Sequence, residues 1–209
     1  MPGPTVLPAN DERALAAAAD VIRAGGLVAL PTETVYGVAC ALDAAALEGV
    51  IAAKGRDATK GITLALDDVR DAETLARVPD AARRLARRFW PGPLTLVLPV
   101  RAEAQLPDVL TGGGGRIGLR LPDHATPRAL ARSVGPFPMT SANRSGEPAA
   151  RTAAEAIAAI GPALTLVLDG GPVRGGVAST VVAVEVNGSL RILRDGAIDR
   201  VAIEAVLGG

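Results

Sequence analysis

The chain has 209 residues, 49% of them hydrophobic, with 22 basic and 22 acidic side chains in balance. These values predict a single domain over residues 1–209 without the charge excess of a nucleic-acid binder, and one cysteine and one histidine exclude an internal disulfide and a tetrahedral zinc site. No apolar run approaches a membrane span and the first residues lack the apolar segment of a secretory signal, so we expect a cytoplasmic protein with no membrane partner.

The first predicted elements lead to a polar segment. Residues 10–11 can cap a helix that the glycines at 25–26 end, and the apolar run 27–30 predicts a buried strand that Pro31 stops. Thr-Glu-Thr at 32–34 then follows the strand end, which is where open α/β sheets bind ligands.

A second helix is predicted between Asp43, as its cap, and Gly55, as its end. Lys54 and Arg56 therefore lie at a helix C-terminus, where we expect exposed charges that contribute little to folding. Because that end of the helix dipole repels anions, any phosphate bound there must be held by the two cations themselves. The alternative is that both residues only complement the negative helix end.

The middle of the chain alternates strands and helices. Residues 62–66 and 94–100 predict buried strands, Asp67 or Asp68 can cap a short helix, and Pro79-Asp80 opens another. The outer face of that last helix is either solvated or in contact with RNA phosphates, and it carries Arg83, Arg84, Arg87 and Arg88.

The glycine-rich segment 112–118 formally matches a dinucleotide-binding fingerprint. We reject that interpretation because a strand, 116–121, follows it instead of a helix. Arg116 and Arg120 lie on one face of this strand with Gly118 between them, which suits a carboxylate or a phosphate. The planar fork of Arg120 is expected to meet both oxygens of a carboxylate.

The next helix is predicted to begin at Asp123. The neighbouring His124 does not indicate a Ser-His-Asp hydrolase, because no G-x-S-x-G elbow is present, and we expect a local hydrogen-bonding role for it. Ser141 and Asn143, taken alone, are typical of a turn. Arg151 precedes a helix with a capping box at Thr152, so it can share an anion with the helix N-terminus.

The last part of the chain is predicted to contain a buried strand, 164–168, a hairpin over Asn187-Gly188 and a closing helix. Arg194 emerges at the end of the second hairpin strand.

Eight short motifs, read together and in order, resemble the YrdC-like threonylcarbamoyl-AMP synthase family over about residues 20–198. They are PTETVYG, KGR, KG, WPGPLTLVLP, LRLPDH, TSANRSG, LDGG and ASTVV. The resemblance implies an α/β fold with an open, twisted, mixed sheet flanked by helices, and a large basic cleft. It also implies the synthesis of threonylcarbamoyl-AMP and pyrophosphate from L-threonine, bicarbonate and ATP, with Mg²⁺ accompanying the nucleotide.

The resemblance further assigns site residues. The family's catalytic tetrad corresponds to Lys54, Arg56, Ser141 and Asn143. The implied ATP contacts are Lys54, Arg56, Arg116, Asn143, Arg151 and Arg194. The implied L-threonine contacts are Thr32, Thr63, Arg120, Ser141 and Ser179, and no protein side chain is expected to bind a metal.

Two other functions remain open from the sequence. One is an RNA-binding module of the same fold, and the other is a paralogue that handles carbamoyl adenylate. The product of the implied reaction feeds the modification of an adenosine in tRNA, so tRNA and the threonylcarbamoyl-transfer machinery are candidate partners.

Overall fold

A computed structural model of the chain describes residues 3–207. Its α-helices are α1 (Glu12–Arg23), α2 (Ala44–Lys54), α3 (Val69–Leu75), α4 (Asp80–Phe89), α5 (Asp108–Thr111), α6 (Ala125–Val134), α7 (Ala153–Ile160) and α8 (Arg200–Leu207). Its strands are β1 (Thr5–Pro8), β2 (Val28–Leu30), β3 (Gly37–Ala39), β4 (Thr63–Ala65), β5 (Leu94–Pro99), β6 (Arg116–Arg120), β7 (Phe137–Ser141), β8 (Leu166–Asp169), β9 (Thr180–Val184) and β10 (Leu190–Arg194).

The strands of this described region form one mixed sheet in the order β1-β8-β2-β3-β7-β4-β6-β5-β9-β10. Strand β8 is parallel to both β1 and β2, β4 is parallel to β6, and β5 is parallel to β9. The other neighbours are antiparallel, including β7 with both β3 and β4. The predicted open mixed sheet flanked by helices is therefore confirmed.

Helices cover the two faces of the sheet unequally. On one face, Leu64, Leu96 and Leu119 pack with residues of α2, α4 and α7. On the other, α1 and α6 pack over an apolar cluster to which β4 contributes Ala65, and in the described part of the chain β5, β6 and β9 contribute no residue to it. Because side chains alternate along a strand, Thr95 and Arg120 point to this second face, where the apolar cluster stops.

Most predicted helix ends are confirmed. Asp43 caps α2, its side chain accepting a hydrogen bond from the Ala46 backbone at 2.9 Å, and Gly55 ends it in the left-handed conformation with φ of 57°. The prediction that Asp123 begins α6 is wrong. The cap is His124, whose Nδ1 accepts the Thr126 backbone N–H at 3.2 Å.

Some elements have no counterpart in the sequence-based prediction, among them β1, β3 and β7. Strand β3 has only three residues, too few for alternation to be visible, and forms because β2 and β7 flank it. The buried strand predicted at 164–168 is present as β8, shifted to Leu166–Asp169. In residues 3–207, no helix is long and apolar enough to cross a membrane.

Candidate functional site

A small polar cavity opens on the second face of the sheet, at the edge of the apolar cluster, where Thr63 of β4, Thr95 of β5 and Arg120 of β6 line it. It encloses about 60 Å³. Its polar lining residues are Thr32, Thr63, Thr95, Arg120, Thr140, Ser141, Ser179 and Arg194. The five residues expected to contact L-threonine are all in this lining, although they come from positions up to 147 residues apart.

Arg120 is fixed at the cavity by bonds on two of its three nitrogens. Nε donates to the carbonyl of Gly92 at 3.2 Å, and Nη2 donates to Glu33 Oε1 at 2.6 Å and to Thr34 Oγ1 at 3.0 Å. Only Nη1 has no partner in the described part of the chain. The expected fork is therefore not available as a whole, because a carboxylate at this cavity meets one free nitrogen.

Two further guanidinium groups are held in the same manner. Arg194 uses Nε and Nη2 to bond the carbonyl of Ser179 at 3.1 and 2.8 Å, and Nη2 also donates to Ser179 Oγ at 3.0 Å. Arg56 donates from Nε to Lys60 O and from Nη2 to Gly61 O. Each again keeps Nη1 unbonded within residues 3–207.

These cations lie close enough to influence one another. Burial, then the charges of Arg120 and Arg56, lower the pKa of Arg194. Burial also lowers the pKa of Arg56, although Asp57 opposes the shift. Mutual repulsion between guanidinium groups with unused donors favours an anion between them.

The hydroxyl groups around the cavity differ in what they can still bind. Thr32 Oγ1 accepts the backbone N–H groups of Thr34 and Val35, at 3.1 and 3.2 Å, and donates to Val35 O at 2.6 Å. Thr95 Oγ1 and Ser179 Oγ bond each other at 2.9 Å. Ser141 Oγ, by contrast, has no partner among the described residues, so it is free to bond a ligand.

Lys54 is not the exposed charge that the sequence suggested, since only 3% of it is exposed. Its ammonium lies against the loop after β7 and donates to the carbonyls of Ser141 and Asn143. Burial, with a smaller contribution from Arg56, lowers its pKa to about 8. The expectation that Lys54 is an exposed charge is therefore wrong, and its small contribution to folding stays a prediction that no longer has exposure as its reason.

Of the six residues expected to contact ATP, Arg194 is in the cavity lining, whereas Lys54, Arg56, Asn143, Arg116 and Arg151 are outside it. Arg116 pairs with Glu185 at 2.9 Å and also donates to Val184 O at 3.3 Å. Arg151 is exposed just before α7, which Thr152 caps as predicted by accepting the Glu155 N–H. Its guanidinium packs on Gly176, where an added Cβ would lie 2.8 Å from Nε. The contacts of both residues with ATP stay predictions.

The expected local role of His124 is confirmed, because its Nδ1 acts as the acceptor that begins α6. Burial lowers its pKa despite the nearby charges of Glu33 and Asp123. The imidazole is thus used in capping a helix, outside the cavity lining.

Two residues that were not predicted as substrate contacts also build the site: Glu33, expected only within a ligand-binding segment, and Thr95. Glu33 fixes Arg120, and its second oxygen, Oε2, is buried without a partner in the described region. Thr95 bonds Ser179 beneath the cavity. Two features of the sequence could have indicated these roles. Glu33 is a carboxylate directly after a predicted strand, and Thr95 is the one hydroxyl-bearing residue within the otherwise apolar β5.

A larger cavity of about 500 Å³ lies between α3 and α4, with a floor of Leu96, Leu98 and Leu121. Its position on the opposite face of the sheet separates it from the converging guanidinium groups. Within residues 3–207, no group of three or more His, Cys, Asp or Glu side chains is placed to hold a metal ion.

Comparison with known proteins agrees with this geometry. Among curated proteins, a threonylcarbamoyl-AMP synthase of Pyrococcus abyssi is 41% identical over 194 residues, which are 91% of this chain and 56% of the relative. Another, from Bacillus subtilis, is 38% identical over 205 residues, 97% of this chain and 58% of the relative. The chain thus spans little more than half the length of these two relatives.

A solved structure of P. abyssi Sua5 complexed with L-threonine has a TM-score of 0.89 and 37% identity to this chain, covering 98% of it and 60% of the Sua5 chain. The family model Sua5/YciO/YrdC, described as telomere recombination, matches residues 20–196. The resemblance drawn from the eight motifs is therefore confirmed, and the chain belongs to the Sua5/YciO/YrdC family.

Proposed function

We propose that this chain is an L-threonylcarbamoyladenylate synthase, which converts L-threonine, bicarbonate and ATP to threonylcarbamoyl-AMP and pyrophosphate. The observation that carries the proposal is a hydroxyl-lined cavity next to guanidinium groups that each keep one free nitrogen. The names of the Pyrococcus and Bacillus relatives, and L-threonine in the related Sua5 structure, support the choice of substrates.

Threonine occupies the small cavity in this proposal. Its carboxylate meets Nη1 of Arg120, and its hydroxyl or amine meets Ser141 Oγ, a lining hydroxyl without a partner among residues 3–207. Thr32, Thr63 and Ser179 complete the walls. A site with fixed donors suits a small zwitterion, because the protein has already oriented these groups before the ligand binds.

ATP lies beside the small cavity in this proposal, with its phosphates against Arg56 and Arg194, so that these cations would form the basic cleft expected from the resemblance. Arg151 and the backbone at Arg116 extend this part of the site, and Mg²⁺ arrives with the nucleotide as part of the substrate. Lys54 and Asn143 were expected to contact ATP as well, but their hydrogen bonds to each other and to loop carbonyls favour a positioning role instead.

The chemistry requires orientation and charge neutralisation, with no protein nucleophile. Threonine and bicarbonate form a carbamate with loss of water, and a carbamate oxygen then attacks the α-phosphorus. The new O–P bond forms as the bond from the α-phosphorus to the bridging oxygen breaks, and pyrophosphate leaves. In this proposal, Arg56 and Arg194 stabilise charge on the phosphates during the displacement.

The product carries an activated acyl phosphate, so a second enzyme must transfer its threonylcarbamoyl group to an acceptor. We propose that the acceptor is the adenosine of tRNA that becomes N6-threonylcarbamoyladenosine. The partners would then be tRNA or the transfer machinery, in the cytoplasm.

Pyrophosphate release tests the proposal. We expect release only when ATP, threonine and bicarbonate are all present, because the carbamate is the nucleophile. Arg194→Met should abolish most turnover, while Arg200→Met, on the exposed surface of α8, should not. Equal release without bicarbonate would indicate ordinary amino-acid adenylation and would contradict the proposal.

A further inference from the structure

Lys54 uses all its hydrogen-bonding capacity inside the protein. Its Nζ donates to the carbonyl of Ser141, to the carbonyl of Asn143 at 2.6 Å and to Asn143 Oδ1 at 3.3 Å. An ammonium group has three N–H donors and no acceptor, so these three oxygens engage all of them. The carbonyl of Lys54 in turn accepts the Ser145 N–H at 2.8 Å. The end of α2 is thus joined to the loop after β7 through both side chain and backbone.

Asn143 is equally saturated. Its Nδ2 donates to Arg144 O at 2.9 Å and to Glu147 O at 2.7 Å, while Oδ1 faces the Lys54 ammonium. Reversing the amide would place N–H groups against an ammonium and leave two carbonyls without donors, so this orientation is the one that the surroundings require. Asn143 is 7% exposed and retains no amide donor for a phosphate.

The other two members of the predicted tetrad, Arg56 and Ser141, each keep a polar group available for a ligand. Arg56 keeps Nη1 and Ser141 keeps Oγ without partners in the described part of the chain, and Ser141 lines the cavity. We propose that Lys54 and Asn143 form a buried clamp that positions Ser141, while Arg56 and Ser141 make the substrate contacts. The identity of those substrates rests on the proposed function, whereas the clamp itself does not.

Hydrogen exchange of the loop 141–147 tests the clamp without any substrate. Lys54→Met removes the ammonium at similar side-chain length, and Arg56→Met is the matched control. We expect the Ser145 amide to exchange about tenfold faster or more in Lys54→Met and to change less than about twofold in the control. Asn143→Asp, which keeps an oxygen for Lys54 but loses both amide donors, should give the same result if Lys54→Met does not fold. Unchanged loop protection in a folded clamp variant would overturn the proposal.

Calorimetric titration then separates positioning from phosphate binding. Arg56→Met should weaken ATP binding about tenfold or more. Lys54→Met should change ATP binding less than about threefold. It should weaken threonine binding about tenfold, because Ser141 is displaced when the clamp is lost. Lys54→Arg should not restore threonine binding, because a planar guanidinium cannot direct three donors at these three oxygens.

Combining Lys54→Met with Asn143→Ala should add little to the larger single effect, since both residues serve one structure. Equal loss of ATP affinity in Lys54→Met and Arg56→Met, restored by Lys54→Arg, would make Lys54 a phosphate ligand and overturn the clamp. If the wild-type protein binds neither ATP nor threonine, the proposed function fails, and the exchange measurement still decides the clamp.

Discussion

Replacement of Arg120 by alanine tests the proposed contact with the threonine carboxylate. The residue is 6% exposed, and its bonds to Glu33, Thr34 and Gly92 O leave Nη1 as the nitrogen available at the cavity. Losing one partner of a buried, hydrogen-bonded charge pair costs about 2–5 kcal/mol, and about 1.4 kcal/mol corresponds to a tenfold change in affinity. We therefore expect the threonine dissociation constant to rise about 30-fold to a few thousand-fold.

The same substitution should destabilise the protein, because Glu33 loses the cation paired with it. Breaking a buried ion pair costs about 3–5 kcal/mol, and the lower end applies because the Glu33 side chain is 19% exposed. At about 2–4 °C per kcal/mol for a chain of this size, Tm should fall by about 6–12 °C. Adding Glu33→Ala removes the unpaired carboxylate, so the double variant should recover stability but not threonine affinity.

Calorimetry of threonine binding in the presence of ATP, together with thermal unfolding, measures both effects, with Arg200→Ala as the control. Unchanged threonine affinity in a folded Arg120→Ala protein would refute the assignment. Recovery of affinity in the double variant would also refute it, because the loss would then come from the unpaired Glu33. Arg194 would be the next candidate, since Arg116 is paired with Glu185.

Two further predictions concern Lys54 and Gly118. Because burial and then Arg56 lower the pKa of Lys54 from 10.5 to about 8, the unfolded chain binds more protons than the folded chain between these values. Between about pH 7.5 and pH 10, the free energy of unfolding of the wild-type protein should therefore rise relative to that of Lys54→Met, by at most about 3 kcal/mol. Urea denaturation of both proteins across this range measures the effect. If the difference in free energy between them stays constant with pH, the three oxygens bonded to Lys54 offset the effect of burial on its pKa. Gly118→Ala places a Cβ 2.9 Å from Thr63 Oγ1, so it should weaken threonine binding and cost about 1–3 kcal/mol of stability. Gly49→Ala, a helical position with nothing within 4 Å, should instead stabilise by about 0.5–1 kcal/mol, and equal effects of the two substitutions would contradict this reasoning.

Local chemistry in the sequence determined where many elements begin and end. Asp43 and Thr152 cap their helices, and Gly55 ends α2, because these residue types satisfy the free backbone groups of a helix end from within a few positions. The strand predicted at 116–121 is confirmed as β6, Arg116–Arg120. A dinucleotide-binding motif needs a helix at this position, so its exclusion from the sequence was correct. The order of the eight motifs determined the family.

The tertiary structure alone decided which polar groups are available at the site. From the sequence, Lys54 and Asn143 were expected to have side chains free to bind ATP. The fold brings these two residues, 89 positions apart, together, and their N–H donors bond to Asn143 Oδ1 and to loop carbonyls instead. Glu33, 87 positions away in sequence, likewise accepts a hydrogen bond from Arg120 Nη2, so that this nitrogen is not available to a substrate carboxylate. A sequence specifies which donors and acceptors exist, but whether each is already bonded depends on distances that are set only when the sheet and its loops pack together.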